Sequence, residues 1–187
     1  GRVFAELLQG FGVRILAYDM YPNAEAARQL HIEYVSLEEL YRNSDVISLH
    51  CPLTPENVHM INDEAIGMMK HGVYIINTSR GKLIDSAALI AGLKSRKIGG
   101  AGLDVYEEES DYFFEYRSGY AIDDDILARL MTFPNVLITS HQAFFTREAM
   151  TNISNVTLKN IEDFVKGREL VNCICYQCDG NRQCPLS

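Results

Sequence analysis

A chain of 187 residues with 47% hydrophobic and 22% charged side chains has the length and composition of one globular domain with its own core, and is too short for two large ones. Its net charge of −8 argues against nucleic acid as a partner, because phosphate binding wants clustered Lys and Arg. No apolar run reaches the roughly 18 residues a membrane-crossing helix needs, so no membrane partner is expected.

Along the chain, strand-like and helix-like segments alternate. Val3, Leu7, Leu8 and Phe11 recur at helical spacing, and Gly12 ends that helix before a β-rich run at residues 14–19. A short helix is expected over residues 24–30. Further strands are legible at 46–50, 73–78, 100–105 and 135–140, with helices near 63–69, 86–96 and 124–131 between them. This alternation predicts an α/β fold, a doubly wound parallel sheet. The strands are nearly all apolar, as expected when helices cover both faces of a sheet. Residues 107–125 break the alternation; they are acidic and aromatic, and Tyr112, Phe113, Phe114 and Tyr116 are expected to pack an excursion at the carboxyl edge. Residues 146–166 carry one long helical pattern, with Thr146 as N-cap, Glu148 close behind and Gly167 as the stop.

The five cysteines are unevenly spread. Cys51 stands alone, whereas Cys173, Cys175, Cys178 and Cys184 crowd the end. A secreted disulfide scaffold would distribute them through the fold, so the main body reads as cytoplasmic. The terminal spacing matches no standard zinc site, and no metal is expected. The expected organisation is a domain at 1–145, a long helix at 146–170, and a disordered cysteine-rich tail at 171–187.

A dinucleotide fingerprint needs three glycines at a strand-to-helix turn, then an acidic residue about twenty positions on. Only Gly1 is available here, immediately before a helix, and Asp19 ends the next strand. If Gly1 is the third glycine, Asp19 falls where an acidic residue would hold the adenosine ribose hydroxyls. Its carboxylate would repel a 2′-phosphate, which favours NAD over NADP. Alone the pattern is weak, since strands often end in Asp.

Three further stretches carry more. They are Asn77-Thr78-Ser79-Arg80-Gly81, then Gly102-Leu103-Asp104-Val105-Tyr106-Glu107-Glu108-Glu109, then Ser140-His141-Gln142-Ala143-Phe144. In this order and spacing the sequence resembles the D-isomer-specific 2-hydroxyacid dehydrogenases over roughly residues 1–170. It is nearest to their fermentative D-lactate branch, through the run from Ser48 to Asn57 and through His141-Gln142-Ala143-Phe144. The resemblance implies a Rossmann-like NAD-binding domain lacking its first strand and the first two glycines of the pyrophosphate turn. It also implies that the substrate domain is missing, that the long helix returns toward it, and that these residues alone show little turnover. By the same resemblance Arg80 binds the substrate carboxylate, His141 transfers the proton and Glu109 orients that histidine. Gly1, Asp19, Cys51, Pro52, Asn57, Thr78, Ser79 and Asp104 match cofactor-contacting positions. Ser110 departs from the family, which often has Pro after the catalytic glutamate. Phe144 and Phe145 replace the Gly or Ser of other members and speak for the lactate branch. The implied activity is NAD-dependent reduction of pyruvate to D-lactate, and the reverse, in a cytoplasmic homo-oligomer.

These residue types suit that chemistry. A planar guanidinium fixes a carboxylate with two parallel hydrogen bonds. A carbonyl oxygen gains charge as hydride arrives and needs a proton donor, which histidine supplies near neutral pH. A carboxylate on the far ring nitrogen sets the tautomer. Because Glu107 and Glu108 stand beside Glu109, the identity of Glu109 rests on the spacing from Asp104-Val105, with Glu107 as the runner-up. His31, His50, His59 and His71 read as helix-end, strand-end or surface residues. The alternatives are a dehydrogenase for phenylpyruvate-like or branched keto acids, an NAD-sensing corepressor relative, and a non-functional fragment.

Overall fold

The structure, a computed structural model, describes residues 1–109 and 122–173. Its strands are β1 (Ile15–Ala17), β2 (Ile32–Tyr34), β3 (Val46–Leu49), β4 (Val73–Asn77), β5 (Ile98–Leu103) and β6 (Val136–Ile138). Every pairing is parallel, in two ladders, β1–β2 and β3–β4–β5–β6. Parallel neighbours need a crossover, and helices supply it. They are α2 (Ala24–Gln29), α3 (Leu37–Asn43), α4 (Asp63–Met68), α5 (Ser86–Lys94) and α6 (Asp125–Met131), after an opening α1 (Arg2–Leu8). This is the doubly wound α/β fold. In the order 3-2-1-4-5-6 of such sheets, the break between β1 and β3 falls where the first strand stands.

Two of these elements, β2 and α3, are not legible as a strand and a helix in the sequence. β2 is three residues long, and its central Glu33 pairs with Arg14 at 2.6 Å on an exposed edge. α3 is seven residues long; Ser36 caps it, its side chain accepting from Glu39 N at 3.2 Å.

The core lies on one face of the four-stranded ladder. Ile47 and Leu49 of β3, Val73 and Ile75 of β4, and Ala101 and Leu103 of β5 pack with Ile66, Leu83, Leu89, Leu93, Leu127 and Leu130. The opposite face corrects the expectation of full cover: Val46 is 57%, Tyr74 52% and Leu137 68% exposed. The reason is topological. From β3 to β6 the strand order advances in one direction, and right-handed crossovers taken in one direction put α4, α5 and α6 on the same face. The apolar stripe of α1 is likewise turned outward, with Val3, Leu7 and Phe11 exposed.

Residues 1–142 and 143–187 form two compact units. Within the second, α7 (Arg147–Val165) begins as expected, Thr146 Oγ1 accepting from Ala149 N at 3.2 Å. It ends at Gly167, whose φ of +60° allows Gly167 N to reach Phe164 O and Arg168 N to reach Asp163 O at 2.8 Å, the paired bonds of a Schellman stop. Residues 110–121 of the excursion expected at 107–125, with Tyr112, Phe113, Phe114 and Tyr116, lie outside the described residues, as does the tail from 174 with Cys175, Cys178 and Cys184. Among the described residues no cluster of three or more His, Cys, Asp or Glu is placed to hold a metal, and no helix is long and apolar enough to cross a membrane.

The tightest contact joins the turn after β4 to the loop after β5. A Cβ on Gly81 would lie 2.0 Å from the carbonyl oxygen of Tyr106 and 2.5 Å from Glu107 N. Neither backbone atom can swing aside. Gly81→Ala should therefore cost about 2 kcal/mol or more and lower the thermal midpoint by roughly 5 °C. Gly67→Ala, in α4 with open space around it, should instead raise the midpoint by about 2 °C through helix propensity. Equal midpoints for the two variants would contradict the packing described.

Candidate active site

β4 ends in Asn77, 1% exposed, whose side chain builds the turn that follows. Its Nδ2 donates to Arg80 O at 2.9 Å and its Oδ1 accepts from Ser79 N at 3.0 Å. A short polar side chain bonding its own backbone in this way reverses the chain within a few residues, leaving Thr78 and Arg80 exposed. Ser79 Oγ donates to Cys51 O at 2.5 Å, which ties the turn to the end of β3. The Arg80 guanidinium donates from Nη1 to Ser79 O at 2.7 Å.

The segment after β3 closes on Asn57. Its Oδ1 accepts from Thr54 N and its Nδ2 donates to Pro52 O, both at 2.8 Å. Asn57 thus shapes the Cys51–Pro52 loop with both ends of its amide. Burial pushes the Cys51 thiol up, a backbone hydrogen bond opposes this, and the charge of Asp19 adds to the rise. Asp19 is exposed, with Oδ1 accepting from Tyr21 N at 2.8 Å. Gly1 caps α1 in the same neighbourhood; a Cβ on it would stand 3.4 Å from His50 Cβ. Burial lowers the His50 pKa, and its ring lies 5.3 Å from that of Phe4.

Beyond β5, Asp104 is 4% exposed and organises the turn after β6. Its Oδ1 accepts from Thr139 Oγ1 at 2.5 Å and from Gln142 N at 2.9 Å, while its carbonyl accepts from His141 N at 2.7 Å. These bonds hold His141 at φ +51°, a left-handed conformation that non-glycine residues seldom keep without such support. In that pose His141 Nδ1 lies 3.0 Å from Glu109 Oε1. Glu109 Oε2 accepts from Tyr106 N at 3.2 Å, so the carboxylate is fixed at both oxygens. The pair is only partly exposed. With Nδ1 on the carboxylate, Nε2 is the ring nitrogen suited to exchanging a proton with a ligand.

Glu109, and not its runner-up Glu107, lies against His141. Glu107 turns away, its Oε1 2.6 Å from His59 Nε2 and its Oε2 accepting from Ser86 N at 2.9 Å. Sequence reasoning missed three residues here: Asn77 as the builder of the Arg80 turn, Thr139 as the partner of Asp104, and His59. The first two stood in or beside quoted motifs. Nothing in the sequence around His59 signals its partner.

Asp19, Cys51, Arg80, Asp104, Glu109 and His141 all follow the carboxyl ends of their strands, the edge where open α/β sheets bind ligands. A depression of about 670 Å³ lined by Lys94, Arg96, Arg129 and Phe133 opens at the other edge, where β4 and β5 begin. It contains none of these residues, so concavity does not mark the edge where they stand.

Residues 1–143 match the family model described as the D-isomer specific 2-hydroxyacid dehydrogenase, NAD binding domain. The chain belongs to that family. It is 55% identical over 172 residues to the D-lactate dehydrogenase of Escherichia coli, covering 92% of this chain and 52% of the relative. An aromatic 2-oxoacid reductase of Clostridium sporogenes is 48% identical over 168 residues, covering 88% of this chain and 50% of the relative. Among solved structures, the D-lactate dehydrogenase of Lactobacillus jensenii with NAD⁺ superposes with a TM-score of 0.82 at 31% identity, over 94% of this chain and 52% of that one. This 2-hydroxyacid dehydrogenase chain therefore spans about half the length of the relatives it matches, and the half it spans is the NAD-binding domain.

Because both ends of the buried Asn77 amide are bonded, Asn77→Ala strands two backbone groups and should cost roughly 1–3 kcal/mol. Asn77→Asp keeps the acceptor for Ser79 N but sets an oxygen against the Arg80 carbonyl, and should also destabilise. Denaturant unfolding of both variants checks this, and wild-type midpoints would contradict the assigned role.

Proposed function

We propose that the complete enzyme carrying this domain interconverts pyruvate and D-lactate with NAD as its hydride carrier. The observation that carries the reading is the Glu109–His141 pair, fixed by Asp104 at the same strand-end edge as the Arg80 turn. Bound NADH supplies the hydride. Arg80 binds the keto-acid carboxylate through two parallel hydrogen bonds, which orients the carbonyl. His141 donates a proton from Nε2 to the carbonyl oxygen and recovers it in the reverse direction. Glu109 holds the Nδ1–H tautomer and offsets the imidazolium charge.

The chain's residues fit the cofactor. Asp19 presents an exposed carboxylate at the end of β1, suited to accept from both ribose hydroxyls and to repel a 2′-phosphate. Gly1, Cys51, Pro52, Thr78, Ser79 and Asp104 stand along the strand-end edge, and Asn57 serves by shaping the Cys51–Pro52 loop. The proposal includes a cytoplasmic homo-oligomer: Cys51 is a free thiol in the cysteine-poor body, and self-association would cover apolar side chains such as Val3 and Phe11 that α1 leaves exposed. The second reading, reduction of larger keto acids such as phenylpyruvate, is supported by the similarity to the aromatic 2-oxoacid reductase.

Steady-state kinetics of the complete enzyme test both readings. Pyruvate should be reduced with NADH in preference to NADPH, and Asp19→Ala should narrow that preference. Arg80→Lys should raise KM for pyruvate sharply, since the bidentate fork is lost. His141→Ala should lower kcat by about 10²–10⁴-fold while NADH binding survives. Glu109→Gln should move the pH profile of pyruvate reduction downward, because the protonated imidazole loses its counter-charge. Phenylpyruvate turnover without pyruvate turnover would select the second reading, and an unchanged Glu109→Gln profile would remove Glu109 from the machinery.

A further inference from the structure

The loop after β5 sends its two bonded glutamates in opposite directions. Glu109 reaches His141. Glu107 reaches His59 at 2.6 Å with one oxygen and takes the Ser86 N–H at 2.9 Å with the other. Three segments thus meet on one carboxylate: the stretch after β3, the start of α5, and the loop that carries Glu109. Helix capping accounts for only one of these bonds: Asp85, the N-cap of α5, accepts from Ala87 N at 2.9 Å and Ala88 N at 3.1 Å and leaves the first amide, Ser86 N, to Glu107. Capping leaves the His59 bond unexplained. His59 is held at φ +54°, a conformation disfavoured for a residue with a Cβ.

What lies between those segments is the Arg80 turn. His59 N donates to Lys82 O at 2.8 Å, Ile61 N to Leu83 O at 3.0 Å, and Asp85 N to Ile61 O at 2.9 Å. On its other side Gly81 abuts the Tyr106–Glu107 backbone. The residues after Arg80 are therefore gripped from both sides, and the Glu107–His59 bond joins the two sides of the grip. The Glu109–His141 pair has its own independent supports in Asp104 and Tyr106 N.

We propose that Glu107 and His59 are positioning residues, a second carboxylate–imidazole pair that sets Arg80 at its working distance from Glu109 and His141. The inference rests on the reading of Arg80 as the carboxylate-binding residue. Cutting the link should loosen the binding of the keto acid more than the transfer of the proton, because the proton-transfer pair is held separately.

The test uses the complete enzyme with Glu107→Ala, Glu107→Gln, His59→Asn and the double variant Glu107→Ala/His59→Asn. Asn tolerates the left-handed backbone at position 59, and Gln keeps one acceptor oxygen and one polar partner for His59. Glu107→Ala and His59→Asn should each raise KM for pyruvate by about 10-fold with kcat within about 3-fold of wild type. Glu107→Gln should recover most of the KM. The double variant should be no worse than the poorer single, as expected when both changes break one link. Hydrogen exchange without substrate should quicken at residues 78–84 in Glu107→Ala and stay unchanged at 139–142. That readout holds whatever the keto acid is, so it separates failure of this inference from failure of the pyruvate assignment. Should Glu107→Ala not fold, His59→Asn carries the same comparison. Unchanged exchange at 78–84 with unchanged KM, or a fall in kcat with KM intact, would overturn the proposal.

Discussion

The site depends on a place where two backbones touch because a side chain is missing. At Gly81 the turn after β4 lies against the Tyr106–Glu107 peptide with no room for a Cβ. One strand-end turn carries the guanidinium and the other loop carries the carboxylate that orients the histidine. That contact holds the two backbones against each other with no room to close further. Interiors are close-packed and do not deform continuously, so a spacing fixed by backbone contact is rigid. Catalytic orientation over a small acid needs that rigidity.

The rest of the fold serves the same edge. Parallel strands place their carboxyl ends together, and the turns after β3, β4 and β6 are built there by one device. Asn77 closes the turn after β4, Asn57 the one after β3 and Asp104 the one after β6. In each case a short polar side chain bonds the backbone of the turn, Asp104 taking the Thr139 hydroxyl as well, and the neighbouring residues are positioned by it. The charge pattern agrees. In a chain of net charge −8, the proposed reading has Arg80 and His141 meet the substrate anion and Asp19, at the end of β1, disfavour extra phosphate.

The expected site residues stand in short linear motifs: Arg80, Asp104, Glu109 and His141 follow strand ends, and it is the family resemblance of those motifs, rather than spacing alone, that singles them out. Helix ends with local chemistry were also readable, as Thr146 and Gly167 show. β2 and α3 escaped because three and seven residues give hydrophobic periodicity too few repeats. The Ser36–Glu39 capping pattern was their one local signal. The open sheet face at Val46, Tyr74 and Leu137 was unreadable because apolar composition cannot say on which face the crossovers run. Spacing favoured Glu109 over Glu107, but it could not show that each bonds a histidine far away in sequence. Only the three-dimensional path of the loop assigns one to His141 and the other to His59.

The central claim is that Arg80, Glu109 and His141 act on one small keto acid at one edge of the sheet. A crystal structure of the complete enzyme with NADH and oxamate, a pyruvate mimic, tests it most directly. The account predicts two parallel hydrogen bonds from Arg80 to the oxamate carboxylate, and the oxamate carbonyl oxygen about 2.7–3.2 Å from His141 Nε2. An oxamate bound elsewhere, or bound at Arg80 with its carbonyl turned away from His141, would contradict it.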